Sequence, residues 1–501
     1  MLEGILAGLS TTFLPINLFL VLVGCFAGTF IGMLPGLGPI SAIALMIPIT
    51  YGFEPASGMI LMAGVYYGAI FGGSTSSILL NAPGVAGTVA TAFDGYPLAQ
   101  QGKAGKALAL AAYSSFSGGT IAAVFLLVAA PMLASVSLSF QSSDYFALMV
   151  MGLTAVSAFA GKGGFLKAIM MTVLGLMLST VGTDASAGIQ RFTFGRLDLI
   201  DGVSFLLLAM ATFALSEALM VILKSTKISR KAQPATQGNL GSLKVSKQEF
   251  KEIAPTIARS SVLGFFVGVL PGAGATIASF LAYGMERNLA KGQHRSQFGK
   301  GSLKGLVAPE TANNAACSGS FVPLLTLGIP GSGTTAVMLG ALLSYGIQPG
   351  PRLFVEQPQV FWSVIISMYI GNIILLILNL PLIPYIAKLL MLPQQLLTPL
   401  ILFFSLIGVY LVSFNPFDIQ MMVFFAVAAL LLRILDFPMA PMLLGFVLGG
   451  MMEENLRRAL LINDGSLSFL WERPITLTIL IITLLTILAP VVSYFKPAAP
   501  D

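Results

Sequence analysis

The chain has 501 residues, of which 56% are hydrophobic and only 9% charged, against about a quarter charged in a soluble domain. So few charges cannot cover a soluble surface, so most of the chain is expected in lipid. The net charge of +6 does not indicate a nucleic-acid binder, because 13 of the 26 Lys and Arg fall within 224–304, the clustering expected of cytoplasmic loops.

In chain order, apolar runs punctuated by Gly and Pro predict roughly a dozen membrane-embedded segments. In the first half they lie near 15–34, 37–50, 57–82, 106–135, 144–160, 164–182 and 202–223. The N-terminus lacks a basic region before its first apolar run, so that run reads as structure. The stretch 224–259 is rich in Lys, Ser and Gln and reads as a basic cytoplasmic linker between two halves, 1–223 and 260–501. The second half continues near 260–283, 307–330, 334–347, 359–392, 396–413, 417–435, 438–450 and 474–495. The runs are too long and too continuously apolar for barrel strands, so the fold class is all-α and polytopic. Cys25 and Cys317 sit in apolar segments and indicate no disulfide framework.

Segment 260–283 lies between two basic stretches, both expected on the cytoplasmic side. Its middle reads Leu270, Pro271, Gly272, Ala273, Gly274. Pro removes an N–H and Gly weakens a helix. Either a helix enters, breaks and returns as a re-entrant hairpin, or one kinked span crosses and one loop is misplaced.

That break has a counterpart. Gly28, Gly32, Pro35, Gly36 and Gly38 recur as Gly264, Gly268, Pro271, Gly272 and Gly274, at an offset of 236 (271 against 35). A second pair follows. Gly72 precedes Asn81, Pro83, Gly84, Gly87 and Thr88, and Gly319 precedes Gly328, Pro330, Gly331, Ser332, Gly333, Thr334 and Thr335, at an offset of 247 (330 against 83). Paired broken helices from two repeats are how many secondary carriers build a midplane site. Helix N-termini at such breaks suit carboxylates and helix C-terminal carbonyls suit a cation. A single break is as readily a kink or a packing device.

Near the breaks, Ser74, Thr75, Asn81, Asn313 and Asn314 supply neutral polar groups suited to an anion, or to hydrogen bonds between helices. Substrate contact is assigned to these and to Gly84, Gly87, Thr88, Gly331, Ser332, Gly333, Thr334 and Thr335, with Thr88, Thr334 and Thr335 foremost. Gly36, Gly38, Gly272, Gly274 and Glu310 are candidates for a coupling ion, Glu310 alternatively capping a helix. Asp94, Asp144, Asp184 and Asp436 are expected to face water or cap helices. Neither a catalytic constellation nor a phosphate-binding loop is visible, so no enzyme activity and no cofactor is expected. A channel is the alternative to a carrier, and a membrane-embedded enzyme the weakest reading.

These residues resemble the tripartite tricarboxylate transporter family, specifically its large membrane subunit (TctA-like). The resemblance rests on GMLPGLG (32–38), YGAIFGGS (67–74), APETANNA (308–315), LGIPGSGTT (327–335) and GIQPGP (346–351), and covers nearly the whole chain. It implies an elevator-type carrier of the bacterial inner membrane, with a sodium or proton gradient driving uptake of a tricarboxylate or another organic acid. It implies two partners, a small membrane subunit (TctB-like) and a periplasmic solute-binding protein (TctC-like). It further implies a mobile part formed by the break-bearing regions, about 15–100 and 260–350, and a scaffold formed by the remaining spans.

Overall fold

The computed structural model describes residues 2–34, 37–158, 164–184, 187–225, 240–386, 388 and 394–495. The architecture is all-α apart from one two-residue antiparallel ladder, Gly182–Thr183 with Gln190–Arg191. The first half comprises α1 (Leu2–Thr12), α2 (Pro15–Met33), α3 (Gly38–Thr50), α4 (Pro55–Leu80), α5 (Val89–Leu98), α6 (Ala104–Ser137), α7 (Ser142–Ala158), α8 (Phe165–Ser179), α9 (Phe205–Ala209) and α10 (Ser216–Ser225). The second comprises α11 (Lys247–Val269), α12 (Gly274–Leu289), α13 (Gln293–Ser296), α14 (Leu303–Gly319), α15 (Phe321–Leu327), α16 (Gly333–Ser344), α17 (Pro351–Glu356), α18 (Pro358–Asn379), α19 (Ile383–Ile386), α20 (Gln394–Ser413), α21 (Pro416–Ile434), α22 (Met439–Ile462), α23 (Phe469–Glu472) and α24 (Pro474–Phe495). Among the described residues, seven helical stretches are long and apolar enough to cross a membrane, and five more are shorter and apolar.

α4 runs through the centre and is buried on every face, as its lack of a polar stripe requires. It touches α2 backbone to backbone. A Cβ at Gly24, Gly28 or Gly32 of α2 would strike Leu61, Val65 or Ala69 of α4, and one at Gly68 or Gly72 of α4 would strike Cys25 or Thr29. In lipid the drive for helix association is close packing, which small residues permit. The second half repeats the device between α11 and α14, where Gly264, Gly268 and Gly319 lie against Ala312, Ala316 and Phe265.

α11 and α12 form a helical hairpin with the break 270–273 at its tip. Near the open end, Glu286 on α12 accepts from Arg259 Nε at 2.7 Å and from Thr256 at 2.8 Å, both on α11. α11 begins earlier than the sequence implied, inside the stretch read as linker, because Ser246 and Glu249 form a reciprocal capping box. The first expected segment, 15–34, is α2, and a further helix, α1, precedes it.

Of the carboxylates expected to face water or cap helices, three are buried, and Asp144 also caps α7 by accepting from Gln141 N–H at 2.9 Å. Asp94, in the middle of α5, accepts from the backbone N–H groups of Gly299, Gly301 and Ser302 at 2.7–2.9 Å. Asp144 pairs with Arg473 at 2.7 Å and accepts from Thr476 at 2.6 Å. Asp184 pairs with Arg457 at 2.7 Å. Apolar flanks made these positions look like membrane edges, but a loop or an arginine from the other half covers each.

Candidate functional site: a cavity where four helices begin

A cavity of about 470 Å³ is lined by all four breaks. Leu37 and Gly38 open α3, and the loop 83–87 leads through one tight 3₁₀ turn, Ala86–Thr88, into α5. Gly272, Ala273 and Gly274 open α12, and Ser332, Gly333 and Thr334 open α16. The local chemistry explains each stop and restart. Asn81 and Gly328 end α4 and α15 in the left-handed conformation, at φ 51° and 71°, the usual helix stop. The two breaks of the second half are tied directly, Gly272 N–H donating to Gly331 O at 3.0 Å.

The arrangement favours an anion. The first N–H groups of a helix have no intrahelical acceptor, and the helix dipole places partial positive charge there. At α16, Ser332 accepts from Thr335 N–H at 3.3 Å and Thr335 Oγ1 accepts from Ser332 N–H at 2.9 Å. The N–H groups of Gly333 and Thr334 are left without an intrahelical acceptor.

Of the residues singled out in the sequence, Gly38, Gly84, Gly87, Gly272, Gly274, Ser332, Gly333 and Thr334 line this cavity. Gly36 lies outside the described residues. Of the others, all but Asn81 are buried outside the cavity lining. Thr335 closes the capping box. Thr88 is buried and its hydroxyl meets Gly73 O, Val85 O and Ser77 Oγ. Gly331 lies against Ser320 and Gly268. Asn313 donates to Gly87 O at 3.3 Å, and Asn314 donates to Asn313 Oδ1 at 2.6 Å. Asn81 is exposed at the end of α4.

Glu310 lies in the middle of α14, not at its start, so it caps nothing. It is fully buried, and its carboxylate accepts from Ser74 at 2.6 Å, from Ser115 at 3.0 Å and from Thr91. These donors are all neutral. A void of about 10 Å³ beside it is lined by Ser74, Thr75, Ser115 and Asn379, among others.

The cavity also holds residues the sequence reading passed over: Ser41, Tyr66, Phe213, Glu217 and Arg433. The available signal was a charge inside each of two apolar runs, Glu217 alone in 202–223 and Arg433 near the end of 417–435, where Asp418 stands at the start.

Residues 18–444 match the model of the tripartite tricarboxylate transporter TctA family. An uncharacterised 52.8 kDa protein in the TAR-I ttuC' 3' region of Agrobacterium vitis is 43% identical over 489 residues, 97% of this chain and 95% of that one. An uncharacterised protein in the TAR-II ttuC' 3' region of Agrobacterium vitis is 45% identical over 217 residues, 43% of this chain and 89% of that one. No solved structure matches. With its apolar helices and these matches, this multi-pass membrane protein belongs to the tripartite tricarboxylate transporter TctA family.

Proposed function

We propose that the chain is the large permease subunit of a binding-protein-dependent secondary transporter, importing a tricarboxylate or related organic carboxylate by sodium or proton symport. One observation carries the reading, the opening of four helix N-termini onto a single cavity, a fixed array of donors for carboxylate groups. Its partners are a small membrane subunit and a periplasmic solute-binding protein, and its location is the bacterial inner membrane. The substrate contacts are the helix starts at Gly38, Gly87, Gly274, Gly333 and Thr334. Gly38 and Gly274 present N–H ends, which suit the anion better than a cation. The coupling cation is therefore assigned to Glu310. A carboxylate buried among neutral hydroxyls is expensive to keep charged and alone, so it holds either a proton or a metal cation.

The two halves are read as structural repeats of inverted topology. The support is that equivalent glycines meet equivalent partners: Gly28 with Val65 and Gly264 with Ala312, Gly72 with Thr29 and Gly319 with Phe265. The break-bearing regions form the moving body of an elevator. Ser115 and Gly118 of α6 contact Glu310 and Thr311, which favours including α6 in that body. α11 and α12 form a re-entrant hairpin.

Two experiments test this. Gly87→Leu and Ala275→Leu fill the cavity, and a Cβ at Gly87 meets only ordinary contacts at 3.4 and 3.6 Å. Both variants are expected to reach the membrane and lose uptake of radiolabelled citrate and succinate in cells expressing the partners. Uptake at the parental rate by both would remove the cavity as the substrate site. Cysteines at Ser246 and Gln297 are expected to react with an impermeant maleimide from the same side of the membrane. Labelling from opposite sides would rule out the hairpin.

A further inference from the structure

We infer that Arg433 is a substrate contact that selects acids with more than one carboxylate, and that Glu217 holds its guanidinium when the cavity is empty. The inference rests on the cavity being the carboxylate site. Both residues line it, on α21 and α10, and both are mostly buried. The guanidinium makes an ion pair with Glu217 through Nη1 and donates to Thr212 O at 3.0 Å through Nη2. It stands over the Phe213 ring at 5.9 Å. Nε is buried and, among the described residues, meets no acceptor. An Arg fork presents five donors and suits planar, two-point recognition of a carboxylate, and here Glu217 and Thr212 O take two of them.

The backbone is shaped to hold this arginine. Between α9 and α10 the chain makes a π-helical turn, Met210–Leu215, a local widening found mostly at functional positions. In that turn Thr212 O accepts from Arg433, and Phe213 O accepts from Ser41 at 2.8 Å. Ser41 belongs to α3, whose N-terminus opens on the cavity. The turn thus links the arginine to one of the helix starts.

The charges separate two roles. The four helix N-termini that line the cavity provide partial positive charge that suits a carboxylate. Glu217 would repel that carboxylate unless neutralised, and Arg433 neutralises it. A second carboxylate on the same substrate competes with Glu217 for the fork. A monocarboxylate gains only this neutralisation from Arg433, whereas a second carboxylate gains the fork as well.

The test measures the thermal shift of the purified full chain on titration with citrate, succinate and acetate. Arg433→Gln is expected to weaken citrate and succinate by at least about tenfold, the scale of a lost charged hydrogen bond, and to weaken acetate less, through the unneutralised Glu217 alone. Glu217→Gln frees the fork and is expected to hold or tighten citrate. Arg433→Gln combined with Glu217→Gln is decisive, because it restores neutrality without restoring the fork. Continued weak citrate binding by the double variant supports direct contact. Parental citrate affinity in the double variant overturns it, leaving Arg433 as a mere counter-charge. Equal weakening of acetate in Arg433→Gln overturns the selectivity. Misfolding is separated by Arg433→Lys, which keeps the charge but not the fork and is expected to show intermediate citrate affinity. If Gly87→Leu leaves citrate binding intact, the cavity reading itself fails and this inference falls with it.

Discussion

In the first half Gly28 lies against Val65, Gly32 against Ala69 and Gly72 against Thr29; in the second, Gly264 lies against Ala312, Gly268 against Ala316 and Gly319 against Phe265. Every partner differs by the same offsets as the motifs, 236 before the break and 247 after it. The side chains these frames carry are different. At the 247 offset, Ala63 stands where Glu310 does, and Tyr66 where Asn313 does. Tyr66 faces the cavity, whereas Asn313 reaches across to hold Gly87 O at 3.3 Å. Backbone contact constrains both halves alike, because a Cβ has nowhere to go. Side chains beyond that seam are free to diverge, so the shared frame shapes the cavity and the unshared residues supply its chemistry.

The largest expected effect breaks the frame itself. Gly84 and Gly331 occupy equivalent places, and a Cβ on either would press on the glycine carbonyl of the preceding break, Gly32 O or Gly268 O. At Gly331 that approach is 2.9 Å, with Ser320 Cα at 2.8 Å. Gly84→Ala and Gly331→Ala are each expected to destabilise the chain by about 1–3 kcal/mol, the scale of overpacking in a filled interior. Gly84→Ala should be the worse, because its approach is closer. Thermal unfolding of the purified chain measures both. A neutral result at one position and not the other would mean that the halves do not share this frame.

Next in size is Glu310, which exists in one half only. Glu310→Ala removes the acceptor of three buried hydroxyls, from Ser74, Thr91 and Ser115. An unsatisfied polar group costs about 1–3 kcal/mol, but a helical hydroxyl can turn to a carbonyl of the preceding turn, as Ser74 already does toward Ile70 O at 3.4 Å, so the loss is expected to stay below that of the glycine variants. Glu310→Gln keeps the shape and an acceptor oxygen but carries no charge. It is expected to fold, to exchange labelled for unlabelled substrate across the membrane, and to lose accumulation against a gradient. Accumulation that still follows the ion gradient in Glu310→Gln would place the coupling site elsewhere.

The breaks were legible because Pro and Gly act through the backbone, where chemistry is local: Pro removes an N–H and Gly admits a positive φ. The helix starts at Gly38, Gly274 and Gly333 follow from that. Hydroxyls misled for the opposite reason. Thr88 and Thr335 stand beside the breaks, yet a Thr hydroxyl bonds its neighbours readily, and both are consumed within a few residues of themselves. Glu217 and Arg433 were not legible as a pair, since 216 residues separate them and nothing in either run names the other. Asp94 failed similarly, because its partners, Gly299 to Ser302, belong to a loop of the other half.

The smallest expected effect lies outside the cavity, at a charge cluster between the two halves. Arg191 of the first half bonds Glu453 of the second at 2.9 Å, and Arg457 bonds both Glu453 and Asp184 at 2.7 Å. The Arg191 guanidinium, chiefly by hydrogen bonding, holds the Glu453 carboxyl below its ordinary range. A carboxyl depressed in the folded state binds its proton more weakly than in the unfolded chain. The cluster therefore stabilises above the ordinary glutamate pKa of about 4.3, and that contribution is lost as pH falls through the depressed value. Arg191→Gln is expected to flatten this acid arm by no more than about 1 kcal/mol, since Glu453 and both arginines are partly solvated. Unfolding midpoints of the two chains, compared from neutral pH down to the acid limit, should differ at neutral pH and converge in acid. A constant difference at every pH would mean that Arg191 acts through packing of its long stem and not through charge. In that case the junction of the two halves away from the seam would also be a matter of contact.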